Sequence, residues 1–511
     1  MSVPYVGARD RRASVITPVG SSLPVQALPG SGYRATVVGG GLAGAAAAMV
    51  LGERGITVDL HEAEPVLGGR VSSWPDQLNA TAGGGPIQME RGFHAFFRQY
   101  YNVRALMKRW DPDLGSLRRL DDYPLFGPHG ASESFKNLPS RPPFNLIELV
   151  RRTPTIGLKD LRVINGDQAA EMLAFDGQDT YARFDSMSAA EYLDSVKFPA
   201  EARRMLFEVF AHSFFNPEDR MSAGEMLMMF HLYFLGTREG ICFDVLEQPF
   251  GQAFWAPAQQ ALEERGVRVR VASPLRSVEP VSGRHSVLLA LNVSGLRDVV
   301  AANPWMGDLA WRAHIATLQT APPFAVHRVW FDGDVQPDRA PFAGTAGFGI
   351  IDNISCVHRY QDEARMWASR TGGSVLETHA YAIGPDYGVP VDQARIRADL
   401  LDQLMQCYPE TRRLKILDER LEIRDDCPAF QPGSWERRPT VATPTPGLAL
   451  AGDLVKVPFP TALMERAVST GFLAANQVLD RWGLAPEPVW SIPTTGVLTK
   501  LQRWQRARRS R

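Results

Sequence analysis

The chain has 511 residues, 45% of them hydrophobic, and a formal net charge of −1. This composition predicts a protein with a large core, and the lack of an overall basic field argues against a nucleic-acid-binding protein. The four cysteines are widely separated and lack Cys-x-x-Cys spacing, so we predict neither a disulfide framework nor a zinc site, as suits a reducing cytoplasm. These cysteines are Cys242, Cys356, Cys407 and Cys427.

We predict that residues 1–32 form a flexible arm. They hold charges, prolines and serines but no compact apolar segment, which argues against a secretory signal. The next segment, Ala35–Gly52, has 18 residues without a charge, about the length of a membrane span. Because it contains five glycines and fits a nucleotide-binding unit, we reject a transmembrane helix.

The turn Gly39–Gly44 lies between an apolar run, Ala35–Val38, and a helical run, Ala45–Leu51. In a Gly-x-Gly-x-x-Gly motif the first glycine permits a tight turn, the second lets amides approach a pyrophosphate, and the third allows close packing. Glu62 follows the strand Ile56–Leu60 and can accept from a ribose hydroxyl. The pattern predicts dinucleotide binding, and the alternative is a glycine-rich loop of another α/β protein. The predicted contacts are Gly39, Gly41, Leu42, Ala43, Gly44 and Glu62.

A second glycine pair, Gly68-Gly69, precedes Arg70. This segment resembles the extended signature of two-dinucleotide-domain flavoproteins of the amine oxidase and carotenoid desaturase type. The resemblance implies FAD as cofactor, with Gly69 and Arg70 lining its pyrophosphate, since a guanidinium offers a planar fork of donors to phosphate. It also implies an α/β fold: a Rossmann-like two-dinucleotide-binding-domain flavoprotein with an interleaved, largely helical substrate domain.

The segment Gln88–Asn102 resembles the part of ζ-carotene desaturases that runs beside the flavin ring. This resemblance implies that Gly92 contacts the cofactor. His94 can be a general base or a donor that positions the flavin. Because it lies among phenylalanines, a satisfied core histidine is the alternative interpretation.

Three helices are predicted in the middle of the chain, at Ala189–Leu193, Pro199–Phe214 and Ala223–Leu235, from helical runs joined by turn signals. The stretch Met226–Thr237 carries no charge, so it is either plain core or faces an apolar ligand. The second interpretation predicts a tunnel for a long polyene, lined by methionine and aromatic side chains. The predicted tunnel residues are Phe214, Phe215, Phe230, Tyr233, Phe234 and Trp255.

The second part of the nucleotide domain is predicted to begin with the strand Val267–Val271 and to end with the strand Val287–Ala290. Leu275 has the spacing of positions that touch adenine in related flavoproteins, so the resemblance implies a cofactor contact there. Only Ser282–His285 links the two halves, where the family commonly inserts a longer hairpin. Weaker FAD affinity is therefore an open alternative.

A further cofactor segment is predicted at Ala451–Asn476, after the strand Leu448–Leu450. In the resembling families the acid at Asp453 meets the ribityl or pyrophosphate region, and the following helix points its N-terminus at the flavin. Arg466 stands where amine oxidases usually have the glycine of Met-Glu-Gly-Ala, which favours a carotenoid branch. The expected contacts are Gly452, Asp453 and Met464.

The C-terminal segment Val497–Arg511 has Leu498, Leu501 and Trp504 at helical spacing, together with six basic residues and no acid. Such an amphipathic segment can lie on an anionic membrane surface. The alternative is a solvated, disordered tail. We expect a cytoplasmic protein that is peripherally associated with the cytoplasmic membrane.

Longer strings within Tyr33–Pro493 resemble the isorenieratene synthase family, the bacterial β-carotene desaturase/methyltransferases. The resemblance implies an FAD-dependent oxidoreductase that aromatises the β-ionone rings of β-carotene with migration of a methyl group. Its implied partners are a lipid-soluble carotenoid and a quinone or oxygen as electron acceptor. The strings are Phe207–Asn216, Phe230–Asp244, Pro322–Asn353, Asp426–Val441 and Met464–Asn476.

Two alternative functions stay open. One is another FAD-dependent polyene enzyme, such as a ζ-carotene or phytoene-type desaturase or a carotene isomerase. The other is a non-catalytic flavin-binding partner in a carotenoid assembly. The predicted division of the chain is an arm at 1–32, FAD-binding parts at 33–130, 256–302 and 441–482, substrate parts at 131–255 and 303–440, and a basic tail at 483–511.

Overall fold

The computed structural model describes residues 13–17, 22–120, 122–128, 132–136, 138–139, 142, 144–153, 162–237 and 240–509. Half of the predicted N-terminal arm, residues 1–12 and 18–21, lies outside the described residues, as do Ser510 and Arg511 of the tail. Within the arm, Ser14–Val15 forms a strand that pairs antiparallel with Trp490–Ser491. Ile16 packs against the core beside it, so this short piece is anchored by burial of apolar side chains.

Strands and helices are numbered in chain order. The strands are β1 (Ser14–Val15), β2 (Arg34–Val38), β3 (Thr57–His61), β4 (Ser73–Leu78), β5 (Gly85–Glu90), β6 (Phe96–Phe97), β7 (Leu117–Leu120), β8 (Leu125–Phe126), β9 (Ser132–Glu133), β10 (Phe243–Leu246), β11 (Val267–Arg270), β12 (His285–Leu289), β13 (Phe324–Phe331), β14 (Phe342–Thr345), β15 (Asn353–Cys356), β16 (Ser374–Ala380), β17 (Ile416–Arg424), β18 (Leu448–Leu450) and β19 (Trp490–Ser491).

The helices are α1 (Leu42–Glu53), α2 (Tyr101–Met107), α3 (Phe144–Arg152), α4 (Gly166–Met172), α5 (Gly177–Phe184), α6 (Ala189–Val196), α7 (Ala200–Ala202), α8 (Val209–His212), α9 (Ala223–Phe230), α10 (Ala256–Glu264), α11 (Val293–Ala302), α12 (Leu309–Ala316), α13 (Asp362–Thr371), α14 (Gln393–Cys407), α15 (Leu463–Arg481) and α16 (Thr499–Arg509). Three π-helical segments adjoin them, at Arg203–Glu208, His231–Leu235 and Gly251–Trp255.

The first layer is a parallel five-stranded sheet in the order β11-β3-β2-β12-β18. Its strands are largely apolar, and β12 and β18 are buried along their whole length, as expected for a sheet covered on both faces. Strands β2 and β18 both pair with β12, so an N-terminal and a C-terminal segment of the chain meet in this sheet. All five strands correspond to predicted ones, with ends shifted by one or two residues.

The second layer is a seven-stranded sheet in the order β17-β13-β16-β15-β14-β8-β9. Most of it comes from residues 324–424, which the sequence analysis assigned to a largely helical substrate domain without predicting these strands. Both β13 and β16 are buried throughout, including their charged residues. The sheet forms one wall of the cavity described below.

The helical layer contains α4 to α9. The predicted helix Pro199–Phe214 is divided into α7, a π-helical segment and α8, and the predicted helix Ala223–Leu235 consists of α9 followed by a π-helical turn. Within the described ranges, no helix is long and apolar enough to cross a lipid bilayer.

Candidate active site

The first glycine turn is crowded at two positions and open at the third. A Cβ atom on Gly39, whose φ is +107°, would lie 2.2 Å from the Ala290 carbonyl oxygen, and one on Gly44 would lie 1.9 Å from the Gly39 oxygen. The nearest atom to a Cβ on Gly41 is 3.7 Å away. Gly41 also precedes α1 without a side-chain cap. Packing therefore requires glycine at the outer two positions, whereas Gly41 leaves room beside the amide groups that begin α1.

Glu62 follows β3 and faces the same turn. Its Oε2 accepts a hydrogen bond from the Gly40 amide at 2.7 Å, and its Oε1 accepts one from the Glu64 amide at 2.9 Å. The side chain is buried but reaches the cavity beside the turn. Two backbone donors thus fix the orientation of this carboxylate.

The second glycine pair is joined to the first turn by backbone hydrogen bonding. The Gly68 amide donates to the Gly40 oxygen at 3.0 Å. Gly68 has a φ of +130° and Gly69 a φ of +56°, so both occupy backbone conformations that favour glycine. A Cβ on Gly68 would lie 2.8 Å from the Trp255 indole nitrogen. The two turns therefore form one continuous backbone surface.

Arg70 links this surface to the C-terminal segment of the chain. Its guanidinium forms a bidentate ion pair with Asp453, with Nη1–Oδ2 and Nη2–Oδ1 distances of 2.7 and 2.5 Å. Burial alone would raise the pKa of Asp453, but the adjacent Arg70 outweighs burial and holds that pKa below its ordinary value. A charged pair therefore lies in the wall of the cavity, where an anionic group of a ligand could share the guanidinium.

A cavity of about 700 Å³ extends from the two glycine turns to a group of aromatic side chains. It brings together most of the residues that the sequence analysis selected, from both the cofactor set and the tunnel set. Those that line it are Gly39, Gly41, Leu42, Ala43, Glu62, Gly69, Arg70, His94, Phe214, Phe215, Tyr233, Phe234, Leu275, Gly452, Asp453 and Met464.

Four selected residues do not line the cavity. Gly44 lies within α1 in close packing, and Gly92, with a φ of +93°, lies against His379. Phe230 stacks on Phe234 with ring centroids 4.9 Å apart and so lies one layer behind the wall. Trp255 donates from its indole nitrogen to the Val71 oxygen at 2.8 Å. The predicted tunnel positions of Phe230 and Trp255 are corrected accordingly: both support the wall rather than face the cavity.

His94 lies in the cavity wall as a neutral imidazole. Burial lowers its pKa to about 4. Its Nδ1 is 2.8 Å from the Gly92 carbonyl oxygen, which can only accept, so Nδ1 carries the proton and Nε2 is the acceptor. The imidazole therefore holds no charge at neutral pH.

The sequence analysis missed a row of polar side chains that begins on β16 and ends at Tyr381, directly after the strand. Glu377, His379 and Tyr381 are two residues apart, which places them on one side of the extended chain. His379 and Tyr381 line the cavity. Burial alone would raise the pKa of Glu377, but Arg328 and His379 hold it at about 2. The alternation of polar residues in Glu-Thr-His-Ala-Tyr was the sequence signal for this row.

Arg466, which stands where amine oxidases usually have a glycine, links α15 to α9. Its guanidinium and that of Arg438 both pair with the buried carboxylate of Glu225, at 2.5 and 2.8 Å. Burial alone would raise the pKa of Glu225, but these two arginines hold it at about 2. Arg466 also donates to the Asp453 carbonyl oxygen at 3.3 Å. A glycine at this position could not connect the helical layer to the segment that carries Asp453.

The sequence matches the family described as flavin containing amine oxidoreductase over residues 42–479. The chain belongs to this family. It is 46% identical to a carotenoid phi-ring synthase of Streptomyces griseus, with 97% of this chain and 96% of that protein covered. A carotenoid phi-ring synthase of Chlorobaculum tepidum is 25% identical, with 91% of each chain covered. A zeta-carotene desaturase of Synechocystis is also 25% identical, with 87% of this chain and 97% of that protein covered.

Solved structures share the overall fold of this chain. A putrescine oxidase bound to putrescine superposes with a TM-score of 0.61 at 15% identity, covering 88% of this chain and 99% of that chain. A reduced UDP-galactopyranose mutase superposes with a TM-score of 0.61 at 13% identity, covering 89% and 96%. The predicted flavoprotein fold class is thereby confirmed, and the protein is an FAD-dependent oxidoreductase.

The residues present fit FAD. The open Gly41 position at the start of α1 suits a pyrophosphate, because the amides and the helix dipole there attract anions. The oriented Glu62 carboxylate suits a ribose, since it can accept from hydroxyl groups. Apolar and aromatic side chains occupy the far end of the cavity, where the reacting end of the cofactor and a hydrocarbon would meet.

Proposed function

We propose that this protein aromatises the β-ionone rings of β-carotene, with 1,2-migration of a methyl group, as an FAD-dependent carotene desaturase of the isorenieratene-forming type. The observation that carries the proposal is the single cavity that joins a dinucleotide-binding surface to a group of aromatic side chains. Similarity to the carotenoid phi-ring synthases supports it, because a φ end group is an aromatic ring.

The chemistry explains why a desaturase moves a methyl group. A β-ionone ring has one carbon with two methyl groups, and such a carbon cannot join an aromatic ring. Bound FAD supplies a hydride acceptor. Loss of a hydride from the ring leaves an allylic cation, to which a neighbouring methyl can shift before a proton leaves. Two such oxidations remove four hydrogens per ring, and no external methyl donor is needed.

The protein contributes a dry, aromatic surrounding for this cation. Phe214, Phe215 and Tyr233 line the cavity, and aromatic faces stabilise a nearby positive charge. Phe215 lies edge-on to Phe324 with ring centroids 4.9 Å apart, so its ring is held in place by packing. Exclusion of water prevents capture of the cation as an alcohol.

Each predicted cofactor contact has a proposed role. Gly41 and the start of α1 receive the pyrophosphate, Glu62 accepts from the adenosine ribose, and Leu275 touches adenine. Arg70 contributes a cation beside the phosphates. His94 and the C-terminal residues Gly452, Asp453 and Met464 would contact the cofactor near the reacting ring. Gly92 would support the His94 turn from behind the cavity wall.

We further propose a cytoplasmic protein that binds the membrane surface peripherally and passes electrons to a quinone or to oxygen. A carotenoid resides in the lipid phase, so the enzyme must collect it there. On α16, Leu501 and Trp504 are exposed, while Arg503 pairs with Asp176 of the protein body. The helix is thus anchored by one face and presents apolar side chains on the other.

The decisive experiment expresses the chain in one bacterial host that makes β-carotene and in another that stops at lycopene. We expect carotenoids that have lost four hydrogens per ring, by mass and absorption, only in the first host, because an acyclic end group has no ring to aromatise. Unchanged β-carotene in cells that contain FAD-loaded protein would contradict the proposal.

The lycopene host separates the alternatives. Similarity to a zeta-carotene desaturase keeps a straight-chain desaturase as the second candidate. Such an enzyme, or a carotene isomerase, would alter acyclic polyenes and leave cyclic ends intact. FAD-loaded protein that alters neither carotenoid would favour the non-catalytic partner.

A further inference from the structure

The row of polar side chains that begins on β16 forms a connected hydrogen-bond chain that ends in the cavity. The Tyr381 hydroxyl lies 2.7 Å from Nδ1 of His379, and Nε2 of His379 lies 3.0 Å from Oε1 of Glu377. Nε of Arg328 donates to Oε2 of Glu377 at 2.8 Å. His379 and Glu377 are almost completely buried, whereas Tyr381 is partly exposed to the cavity.

The carboxylate sets the positions of the protons in this chain. Glu377 is ionised and can only accept, so Nε2 of His379 donates to it. The Phe93 amide also approaches Nε2, but at a longer distance of 3.3 Å, and a charge-assisted contact is the stronger one. With the single ring proton placed on Nε2, Nδ1 is an acceptor. At 2.7 Å the Tyr381 hydroxyl donates to it, while the Asn353 amide donates to the Tyr381 oxygen at 3.1 Å.

Tyr381, His379 and Glu377 are connected in the same order as the hydroxyl, imidazole and carboxylate of a catalytic triad. The hydroxyl oxygen faces the ligand, the imidazole can take the hydroxyl proton, and the carboxylate stabilises the imidazolium that results. Phe215 lies edge-on to Tyr381 with ring centroids 4.8 Å apart, which places the Tyr381 ring beside a proposed tunnel residue. His94 lacks such support, because its one described hydrogen bond is to a backbone carbonyl.

We propose that Tyr381 is the catalytic base that removes the proton from the ring cation and passes its own hydroxyl proton to His379. This inference rests on the proposed aromatisation. In each two-electron oxidation, one C–H bond breaks with transfer of a hydride to the flavin. A second C–H bond, on the carbon next to the cation, then breaks; its electrons form the new C=C bond, and its proton bonds to the Tyr381 oxygen as His379 Nδ1 takes the hydroxyl proton.

The transfer of the ring proton to Tyr381 must be coupled to the transfer of the hydroxyl proton to His379, because a free phenolate is disfavoured at this position. Burial raises the pKa of Tyr381 above its ordinary value. A simultaneous transfer to His379 avoids the phenolate, and Glu377 offsets the positive charge that moves onto the imidazole. A C–H bond beside a carbocation is strongly acidic, so a neutral hydroxyl supported in this way is a sufficient base.

The test compares Tyr381→Phe with the parent protein and with Tyr192→Phe. Tyr192 is a matched control, since its buried hydroxyl donates to the Gln168 oxygen outside the cavity. In anaerobic single turnovers with β-carotene, we expect Tyr381→Phe to bleach the flavin within about fivefold of the parent rate. Over repeated turnovers with a quinone as electron acceptor, which allow the two oxidations that each ring needs, its aromatic product should fall by at least about 100-fold, with water adducts in its place.

Tyr192→Phe should retain the parent rate and product. Aromatic product from Tyr381→Phe within about threefold of the parent would overturn the assignment. If the parent itself makes no aromatic product, the proposed function fails instead, so the two failures are distinguishable.

A measurement without substrate tests the proton positions directly. In ¹⁵N-histidine spectra of the FAD-loaded protein, the His379 signals are identified by their loss in His379→Gln. We expect a proton on Nε2 and none on Nδ1 in the parent. A proton on Nδ1 would overturn the proposal even if Tyr381→Phe fails to fold, because that nitrogen could not then accept from Tyr381.

Discussion

A Cβ methyl group added at each glycine of the first turn would have different neighbours. These neighbours distinguish the glycines that close packing requires from the one that leaves room for the cofactor. At Gly44 the methyl group would collide with a backbone oxygen that cannot move without breaking the turn. At Gly41 it would meet only ordinary contacts at 3.7 Å and beyond. The empty protein therefore tolerates a Cβ at Gly41, whereas a pyrophosphate placed against the same surface would not.

Gly41→Ala should raise the Kd for FAD at least tenfold, which is about 1.4 kcal/mol, without lowering the thermal midpoint of the apoprotein. Gly44→Ala should lower that midpoint and lose FAD as well, because its Cβ overlaps the Gly39 oxygen. Gly166→Ala, with no atom within 4 Å of the added Cβ, serves as the control. FAD titration and thermal unfolding of each apoprotein provide the two readouts. Unchanged FAD affinity in Gly41→Ala would contradict the proposed pyrophosphate site.

Single residues also show where sequence analysis reached its limit. The glycines, Glu62 and Asp453 could be selected because spacing along the chain places them near a strand end or a helix start. Trp255 was misplaced because an aromatic residue beside an apolar stretch looks the same whether it faces a ligand or donates to the Val71 oxygen. The row of Glu377, His379 and Tyr381 was missed because Arg328 and Asn353, which hydrogen-bond to its two ends, come from other strands.

At the scale of elements, the parallel sheet was predictable and the seven-stranded sheet was not. Strands β2, β3, β12 and β18 are short apolar runs that adjoin recognisable turns. In contrast, β13 and β16 are buried along their whole length yet contain charged residues, so neither is the continuous apolar run expected of a fully buried strand. Arg328 on β13 is neutralised by Glu377 on β16, a pairing 49 residues apart that a single sequence does not reveal. The predicted domain boundaries stay predictions.

The exposed face of α16 has a testable consequence. Replacing Leu501 and Trp504 with serine should reduce binding to anionic lipid vesicles at least threefold, because it removes the apolar side chains that would enter the headgroup region. A matched double variant, Leu309→Ser with Met366→Ser, removes two side chains that are also exposed but lie on other helices. Co-sedimentation with vesicles measures both. Equal loss in the two double variants, or no binding by the parent, would count against this helix as the membrane contact.

At the scale of the whole molecule, the buried ion cluster around Glu225 connects the cofactor and helical layers. Two arginines converge on one carboxylate: Arg466 lies in the first turn of α15, and Arg438 precedes β18. Tyr181 on α5 also donates to Glu225, at 2.7 Å. Removal of the carboxylate would leave two guanidinium groups buried without their partner.

Glu225→Ala should therefore lower the free energy of unfolding by about 3–5 kcal/mol, the usual cost of breaking a buried ion pair. Glu279→Gln, which removes the exposed partner of Arg34, should cause no measurable change. Urea denaturation of the apoproteins provides the comparison. If both substitutions have the same small effect, the cluster contributes little to holding the layers together.

The meeting of the chain ends in one sheet has a consequence for biosynthesis. Arg70 is synthesised 383 residues before its partner Asp453, and β12 lacks its neighbour β18 until the segment Leu448–Leu450 has been translated. In a nascent chain on the ribosome, the glycine turns therefore lack the part of the cavity wall that carries Asp453, and one edge of β12 is unpaired. FAD can be bound stably only after the segment with β18 and Asp453 has been translated. A product truncated before β18 should therefore be retained by chaperones and should not become a partly loaded enzyme.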